Sequence, residues 1–426
     1  MPLVLYAALR LAADETPGTS SRAGTSLSAP KHRGRVPAAP PCHCGDWQAS
    51  YAELHADILA GRRPPRFCVA SGINFGFADR VSGIVSEFYY ALFSQRALRI
   101  LSFDTLPRFE WAFDSPHHVN WTSPPYDPVL YEGLRRWPGD PSYGWPGAAS
   151  YDGLGINTSQ YWPIYHVNEL QVATEFFLSD LAAQPVGHAD VPHVLFASNR
   201  GRTFRLFGNR HYRAFFKRHG MRPESLFACA FDFLFAPNKA TRLLMRPYLA
   251  ALRTARSALV IGIQIRVGDH VFRNDSGTSL DAFSAYFQCA REIEESRLLP
   301  GERATWYIIS NSLSLRRQAR RHYGDKVVTD LQAAPVHAHC ITDDPEQCQG
   351  GGPSAADAFR QAVSEVLVFR KADVHIVTEA SGFGKVGAWL SMRAHSTYSI
   401  LHYKSRACGV SDYDNPSITS ESWQGL

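Results

Sequence analysis

The chain has 426 residues, of which 45% are hydrophobic and 19% charged, with a formal net charge of +5. That length can bury more than one core and makes two domains the natural expectation, while the composition excludes a disordered, collagen-like or coiled-coil protein. The charge is spread widely, with no basic run interleaved with aromatics, so nucleic acid is not an expected partner.

The first residues, PLVLYAALRLAA, are apolar but interrupted by Arg10. They fall short of the roughly 20 residues a membrane span needs and lack the basic start of a signal peptide, so no membrane anchor is visible in the chain. Asp14 to Pro41 is rich in Ser, Gly, Pro, Ala and Arg without an apolar period, so residues 1–45 read as a stem or linker. A helix is expected over Tyr51–Ala60, then a strand over Arg66–Ala70 and a loop, Ser71–Phe77, punctuated by Gly72 and Gly76. Asp79 opens a helical pattern carried by Val81, Ile84, Val85, Phe88, Tyr89 and Leu92, and Ala97–Phe103 is the next strand. This is a βαβ unit whose glycine loop sits at a helix N-terminus, where backbone N–H groups point outward. Tight packing explains such a loop as well as ligand contact does. Gly76, Asp79 and Arg80 are therefore candidates on its ligand side.

Pro107 to Tyr165 is rich in Pro, Trp, Tyr and Gly and has little period, the character of functional loops or lids. A helix follows over Asn168–Ala183, then a strand over Val191–Ser198 that ends in a polar tip. There Arg200, Arg202 and Arg205 either bind an anion or sugar or form a solvated loop. Leu226–Leu234 and Lys239–Ala255 read as helices.

Within Ser257–His270, Val260, Ile261, Ile263 and Ile265 make a short β-branched run suited to a strand buried on both faces. Gln264, Arg266, Gly268 and Asp269 then break the apolar pattern. Ligands of open α/β sheets bind beyond the carboxyl ends of strands, and Arg266 stands at that edge. Its guanidinium suits either a two-pronged grip on a phosphate or a rim carboxylate. Further on come a helix over Ser279–Glu295, a strand over Thr305–Ser310 tipped by Asn311, and a helix over Leu315–His322. Lys326–Thr329 is a short strand, Ser354–Arg370 a helix and Val374–Val377 a strand; Lys385–Met392 starts the last helix. Strand and helix alternate twice over, which predicts an α/β, GT-B-like architecture of two Rossmann-like domains, 46–245 and 246–426, facing across a cleft.

After the last of these strands, Gly382-Phe-Gly384-Lys-Val-Gly387 fits G-x-G-x-x-G and opens a helix. A dinucleotide enzyme normally carries this motif on its first strand with an acid about 20 residues on, whereas here the next acid is Asp412. The same N–H groups, with the hydroxyls of Thr378 and Ser381, serve the diphosphate of a nucleotide sugar. Val386 after Lys385 excludes a P-loop, and neither G-x-S-x-G nor H-E-x-x-H occurs.

Cys42 and Cys44 form a C-x-C without a second close pair, a weak zinc pattern. His337, His339, Cys340 and Cys348 are conceivable ligands, but a loop disulfide between the two cysteines is expected instead. Sequons occur at Asn120, Asn157 and Asn274; the last sits near Arg266, where a glycan would crowd a site, and is discounted, while the other two favour a secretory route, the Golgi or another lumen. No acidic pair follows a strand in the C-terminal half, and Asp343-Asp344 reads as surface, so no metal site is expected.

Five stretches together resemble one family: GINFGFADRVSGIVSEFYYALFSQRALRI, FLFAPNKATRLLMRPYLAAL, IGIQIRVGD, WYIISNSLSLRR and EVLVFRKADVHIVTEASGFGKVGAWL. Their order and spacing resemble the GDP-fucose-dependent fucosyltransferases, most of all the plant and algal xyloglucan-type branch, over roughly Pro65 to Ser391. The resemblance implies a GT-B fold, inverting fucosyl transfer from GDP-fucose to a glycan acceptor, and no cofactor or metal requirement. It implies that Arg266 grips the β-phosphate and that Thr378, Ser381, Phe383 and Gly384 line the phosphate side of the donor pocket. Gln264, Gly76, Arg80, Asn311 and Gly382 complete the candidate donor contacts, and Asp79 and Asp269 are the candidate bases. Two positions depart from the family: Asp79 where asparagine is common, and Asn311 where aspartate is common. Another nucleotide-sugar transferase, a dinucleotide oxidoreductase and a catalytically silent glycan-binding relative are the competing readings.

Overall fold

The computed structural model describes residues 44–71, 76–101, 107–116, 119–122, 161–165, 175–184, 189–197, 201, 203–254, 257–272, 274–332, 335, 354–379, 381–393, 396–400 and 408. The stem up to residue 43, Arg200, Arg202, Asn157, the pairing of Cys340 with Cys348 and Asp343-Asp344 lie outside them.

In chain order the first half contains α1 (Trp47–Leu59), β1 (Phe67–Ser71), α2 (Phe77–Phe93), β2 (Ala97–Leu101), β3 (Phe113–Asp114), β4 (Tyr161–Tyr165) and β5 (His193–Ala197). It continues through α3 (Thr203–Gly208), α4 (Arg213–Arg218), α5 (Pro223–Leu234) and β6 (Ala236–Pro237). Then come α6 (Lys239–Thr254), β7 (Leu259–Ile265), α7 (Ser284–Arg297), β8 (Ala304–Ser310), α8 (Leu313–Tyr323) and β9 (Val327–Val328). The chain closes with α9 (Ala355–Phe369), β10 (Val374–Thr378), α10 (Gly382–Leu390) and β11 (Thr397–Ile400).

The strands form two all-parallel sheets, ordered β2-β1-β5-β4 and β11-β10-β7-β8-β9, with an antiparallel β3-β6 ribbon besides. β7 is the central strand of the second sheet, and every residue of it except Val260 is buried. This is why its sequence is a continuous apolar run rather than an alternation. β4, YWPIY, falls in the stretch that reads as irregular loop. Pro163 has no N–H to give a ladder, and β4 lies at the sheet edge, where proline is tolerated. The strand pattern is hidden by that residue.

α2 is buried almost all round because elements of both halves close over it. Val81, Val85 and Phe88 of α2, Phe227 and Phe231 of α5, and Val363, Phe369 and Val386 of α9 and α10 belong to one continuous core. A second core lies on the other side of the second sheet, around Ile261, Ile263, Tyr286, Phe287 and Trp306. Arg370, just past α9, adds a two-pronged pair with Asp232 of α5 at 2.7 and 2.8 Å. An apolar interface of this kind holds the halves in a fixed relation, and the expected boundary at 245/246 falls inside α6.

Disulfides join Cys44 to Cys229 and Cys289 to Cys408 across 185 and 119 residues. Cys44 is therefore a disulfide partner, which removes it from any zinc site. The first bond ties the start of α1 to α5, and the second ties α7 to the C-terminal region. A non-reducing peptide map should recover both pairs, with buried Cys68 alkylated only after unfolding. Replacing Cys229 by serine should cost about 2–5 kcal/mol of stability. Among the described residues no helix is long and apolar enough to cross a membrane.

Two histidines make the fold acid-sensitive. His55 and His375 are fully buried, bonded to the carbonyls of Leu98 and Phe369 at 3.0 Å. Burial lowers their pKa values to about 4 and about 3. The unfolded chain binds these protons below about pH 6.5 and the fold does not, so stability falls as pH falls through that window, on the order of 3 kcal/mol per ring. Buried Glu87, whose carboxyl burial pushes up, opposes this with a single proton. The melting temperature should drop between pH 6.5 and 4; a flat profile would contradict the enclosure of both rings.

Candidate active site

Because β10, β7 and β8 are adjacent and parallel, their carboxyl ends open on one edge, and Thr378, Arg266 and Asn311 stand there together. A lattice of hydrogen bonds stitches these ends. Arg266 N donates to Thr378 Oγ1 at 2.9 Å, and Val267 N donates to Asn311 Oδ1 at 2.9 Å. Asn311 Nδ2 returns a bond to Gly268 O at 2.7 Å. Gln264 accepts from Thr378 N and donates to Ser381 Oγ, both at 3.1 Å. Tyr286 OH reaches Thr378 Oγ1 at 2.8 Å, and burial pushes its pKa up to about 12. Each buried polar group finds its partner in a neighbouring strand end, as such groups must. The backbone of 266–268 is thereby fixed.

Gln264 and Thr378 are buried and bond within the protein, Thr378 to the backbone of Arg266 and Gln264 to Ser381 and Thr378. Asn311 clamps the β7 and β8 tips; its amide is spent on the backbone. Arg266 itself is 34% exposed, paired through Nη2 with Asp269 Oδ1 and lying 5.0 Å from the centroid of the Phe272 ring. Of the two expected alternatives, the rim ion pair is the one formed here, and the guanidinium stays partly exposed beside it. A carboxylate and an aromatic face hold the guanidinium ready at the edge.

α10 starts beside it. Ser381 is its N-cap but makes no side-chain cap bond, since its Oγ accepts from Gln264 instead. First-turn N–H groups of a helix have no intrahelical acceptor, and the helix dipole favours an anion there. Gly382 is exposed, Phe383 half-buried and Gly384 buried. A Cβ on Gly384 would lie 2.8 Å from Gln264 Cδ, and one on Gly387 would lie 2.6 Å from Phe369 Cδ1. Close packing of α10 on β7 and α9 accounts for this glycine spacing without a dinucleotide. Lys385, one turn in, is buried, and burial lowers its pKa to about 6 against the pull of Glu379.

The first half delivers α2 to the same place. Gly76 is the N-cap of α2. A Cβ placed on Gly382 would lie 3.4 Å from Ala78 Cβ and 3.6 Å from Asp79 Oδ1. The Asp79 carboxylate thus lies beside the N-termini of two helices, its own and α10. Arg80 turns the other way. Its side chain is buried, donates to Pro107 O at 2.5 Å and lies 4.6 Å from the Phe109 ring centroid. Burial lowers its pKa to about 10, with Glu110 opposing. Arg80, named above as a candidate donor contact, is a buried residue of the first half. Tyr286, Phe272 and Lys385 are the site neighbours that pattern reading missed, because each looks like an ordinary residue of its helix or turn. Among the described residues no three His, Cys, Asp or Glu side chains gather as metal ligands.

No family model and no curated protein sequence matches the chain. Its structural neighbours are GDP-fucose-dependent fucosyltransferases, at low sequence identity. The structure of a mutant of Arabidopsis thaliana FUT1 in complex with GDP matches 85% of this chain and 81% of its own, with a TM-score of 0.58 and 14% identity. Fucosyltransferase NodZ from Bradyrhizobium matches 80% of this chain and 97% of its own, with a TM-score of 0.43 and 14% identity. The chain is α/β with parallel sheets, and it shares the GT-B-like fold of the Arabidopsis thaliana FUT1 structure.

Proposed function

We propose that the chain is an inverting fucosyltransferase that moves L-fucose from GDP-fucose to a glycan hydroxyl, galactose O2 being the favoured acceptor. The observation that carries this reading is the pairing of a pre-held Arg266 with the open N-terminus of α10, in a fold shared with a GDP complex. In the reaction the bond from fucose C1 to the β-phosphate oxygen breaks and its electron pair stays on GDP. The acceptor oxygen bonds to C1 on the opposite face and its proton passes to a base. Charge grows on the diphosphate, so fixed cations and N–H dipoles there stabilise the transition state most. Arg266 and the first turn of α10 fill that role, with Ser381, Gly382, Phe383 and Gly384 as the lining. Asp79 lies where the halves meet and is the assigned base. Asp269 holds Arg266 and is assigned a positioning role.

Two disulfides and the exposed Asn120 sequon support action in an oxidising secretory lumen, the Golgi foremost, on a polysaccharide or glycoprotein. Because protein groups supply the positive charge, transfer should need no metal. Release of GDP from GDP-fucose in the presence of a galactose-terminated oligosaccharide should be unchanged by EDTA. Loss of activity restored by Mn²⁺ would overturn the metal-free mechanism and direct attention to Asp343-Asp344.

A further inference from the structure

α6 carries a surface that fucosyl transfer does not use. Thr241 and Met245 turn into the core, with Tyr248, Leu249 and Leu252 half-buried beside them, while Lys239, Arg242, Arg246 and Arg253 are exposed. The helix contains no acidic residue. Among the described residues, only Arg242 has a carboxylate within 4 Å, that of Asp114 at 3.9 Å. The four cations, with Leu243 and Leu249 between them, line an open groove of about 550 Å³. At 1.5 Å per residue they span roughly 21 Å of helix axis. Such a row suits a linear ligand with charges repeated along its length, and its positive charge, opposed among the described residues by Asp114 alone, favours an anion.

We infer that the α6 groove binds a polyanionic glycan chain, one bearing uronate or sulfate groups. Two other polyanions fit less well. A membrane-docking helix turns a broad apolar face to lipid. Here that face is spent on the core, and Leu243, 58% exposed, is the only large hydrophobic side chain of α6 that is mainly exposed. Single-stranded nucleic acid wants aromatic platforms for its bases, and the exposed face of α6 has none. The choice of a glycan among polyanions rests on the fucosyl-transfer reading; the charge and shape of the groove do not.

The test uses the full chain titrated with polygalacturonate, dextran sulfate and neutral dextran, with phosphatidylserine vesicles and single-stranded DNA as competing probes. Both acidic glycans should bind, more weakly as salt rises, and neutral dextran should not. Arg246→Gln with Arg253→Gln should weaken that binding roughly tenfold while the melting temperature and turnover on a neutral acceptor stay unchanged. Should the double variant fail to fold, Arg246→Gln alone should still show a measurable loss. Unchanged affinity in the variants, equal binding of neutral dextran, or preference for vesicles or DNA over the acidic glycans would overturn the assignment. Glycan binding that persists in a protein indifferent to GDP-fucose would keep this surface and remove only the donor reading.

Discussion

Arg266→Ala is expected to bind GDP at least about tenfold more weakly than the wild-type chain, since charge-assisted bonds are worth about 1.5–3 kcal/mol each. The loss should exceed one bond, because Asp269, now paired with the guanidinium, would be left as an unopposed anion at the sheet edge. Arg266→Lys keeps the charge but loses the planar fork, so affinity should fall less and turnover should fall further than affinity. The fold should survive both changes, as the side chain is part-exposed and the strand-end bonds use its backbone N–H. Asp269→Asn gives the counterpart. As a positioning residue it should leave GDP binding within a few-fold of wild type and cost turnover modestly. A collapse of turnover with intact GDP binding would instead make Asp269 the base and release Asp79 from that role.

Arg316→Met should destabilise the fold by about 3–5 kcal/mol, because it strands a buried carboxylate. Arg316 lies beneath the β8 tip, where Nε donates to Ser310 O at 2.7 Å and Nη2 to Glu365 Oε2 at 3.0 Å. Nη1 pairs with Glu365 Oε1, and both side chains are buried. The pair joins the strand that precedes Asn311 to helix α9, so its loss should also loosen the clamp on residues 267 and 268. Denaturant melts should show Arg316→Met with Glu365→Leu to be less damaging than Arg316→Met alone, since the double change removes both charges. Equal damage would mean that the cost is one of packing rather than of a stranded charge.

Much of the second sheet was legible because a strand covered by helices on both faces writes a run of β-branched residues, as β7 does. The same logic put Arg266 at the strand end. What pattern cannot tell is which way a polar side chain turns once the strand stops. Gln264 and Asn311 stand two residues before Arg266 and at the end of the neighbouring strand, yet Gln264 turns to Thr378 N and Ser381 Oγ and Asn311 to the backbone of 267 and 268. Arg80 follows Asp79 directly, but the helix turns it by about 100° into the first half's core. Tyr286 is spaced like any core residue of α7, and only the fold brings its hydroxyl to Thr378. The disulfides were illegible for a related reason: partners 185 and 119 residues apart leave no local trace.

The proposed seating of a guanine-nucleotide sugar donor on Arg266 and α10 is tested most directly by thermal unfolding of the full chain with GDP, GDP-fucose, UDP and NAD. A ligand that binds only the native state at 100 times its Kd adds about 2.7 kcal/mol. GDP and GDP-fucose should each raise the melting temperature, UDP and NAD should not, and Arg266→Ala should lose the shift. Stabilisation by NAD or UDP with none by GDP, or a GDP shift undiminished in Arg266→Ala, would contradict it.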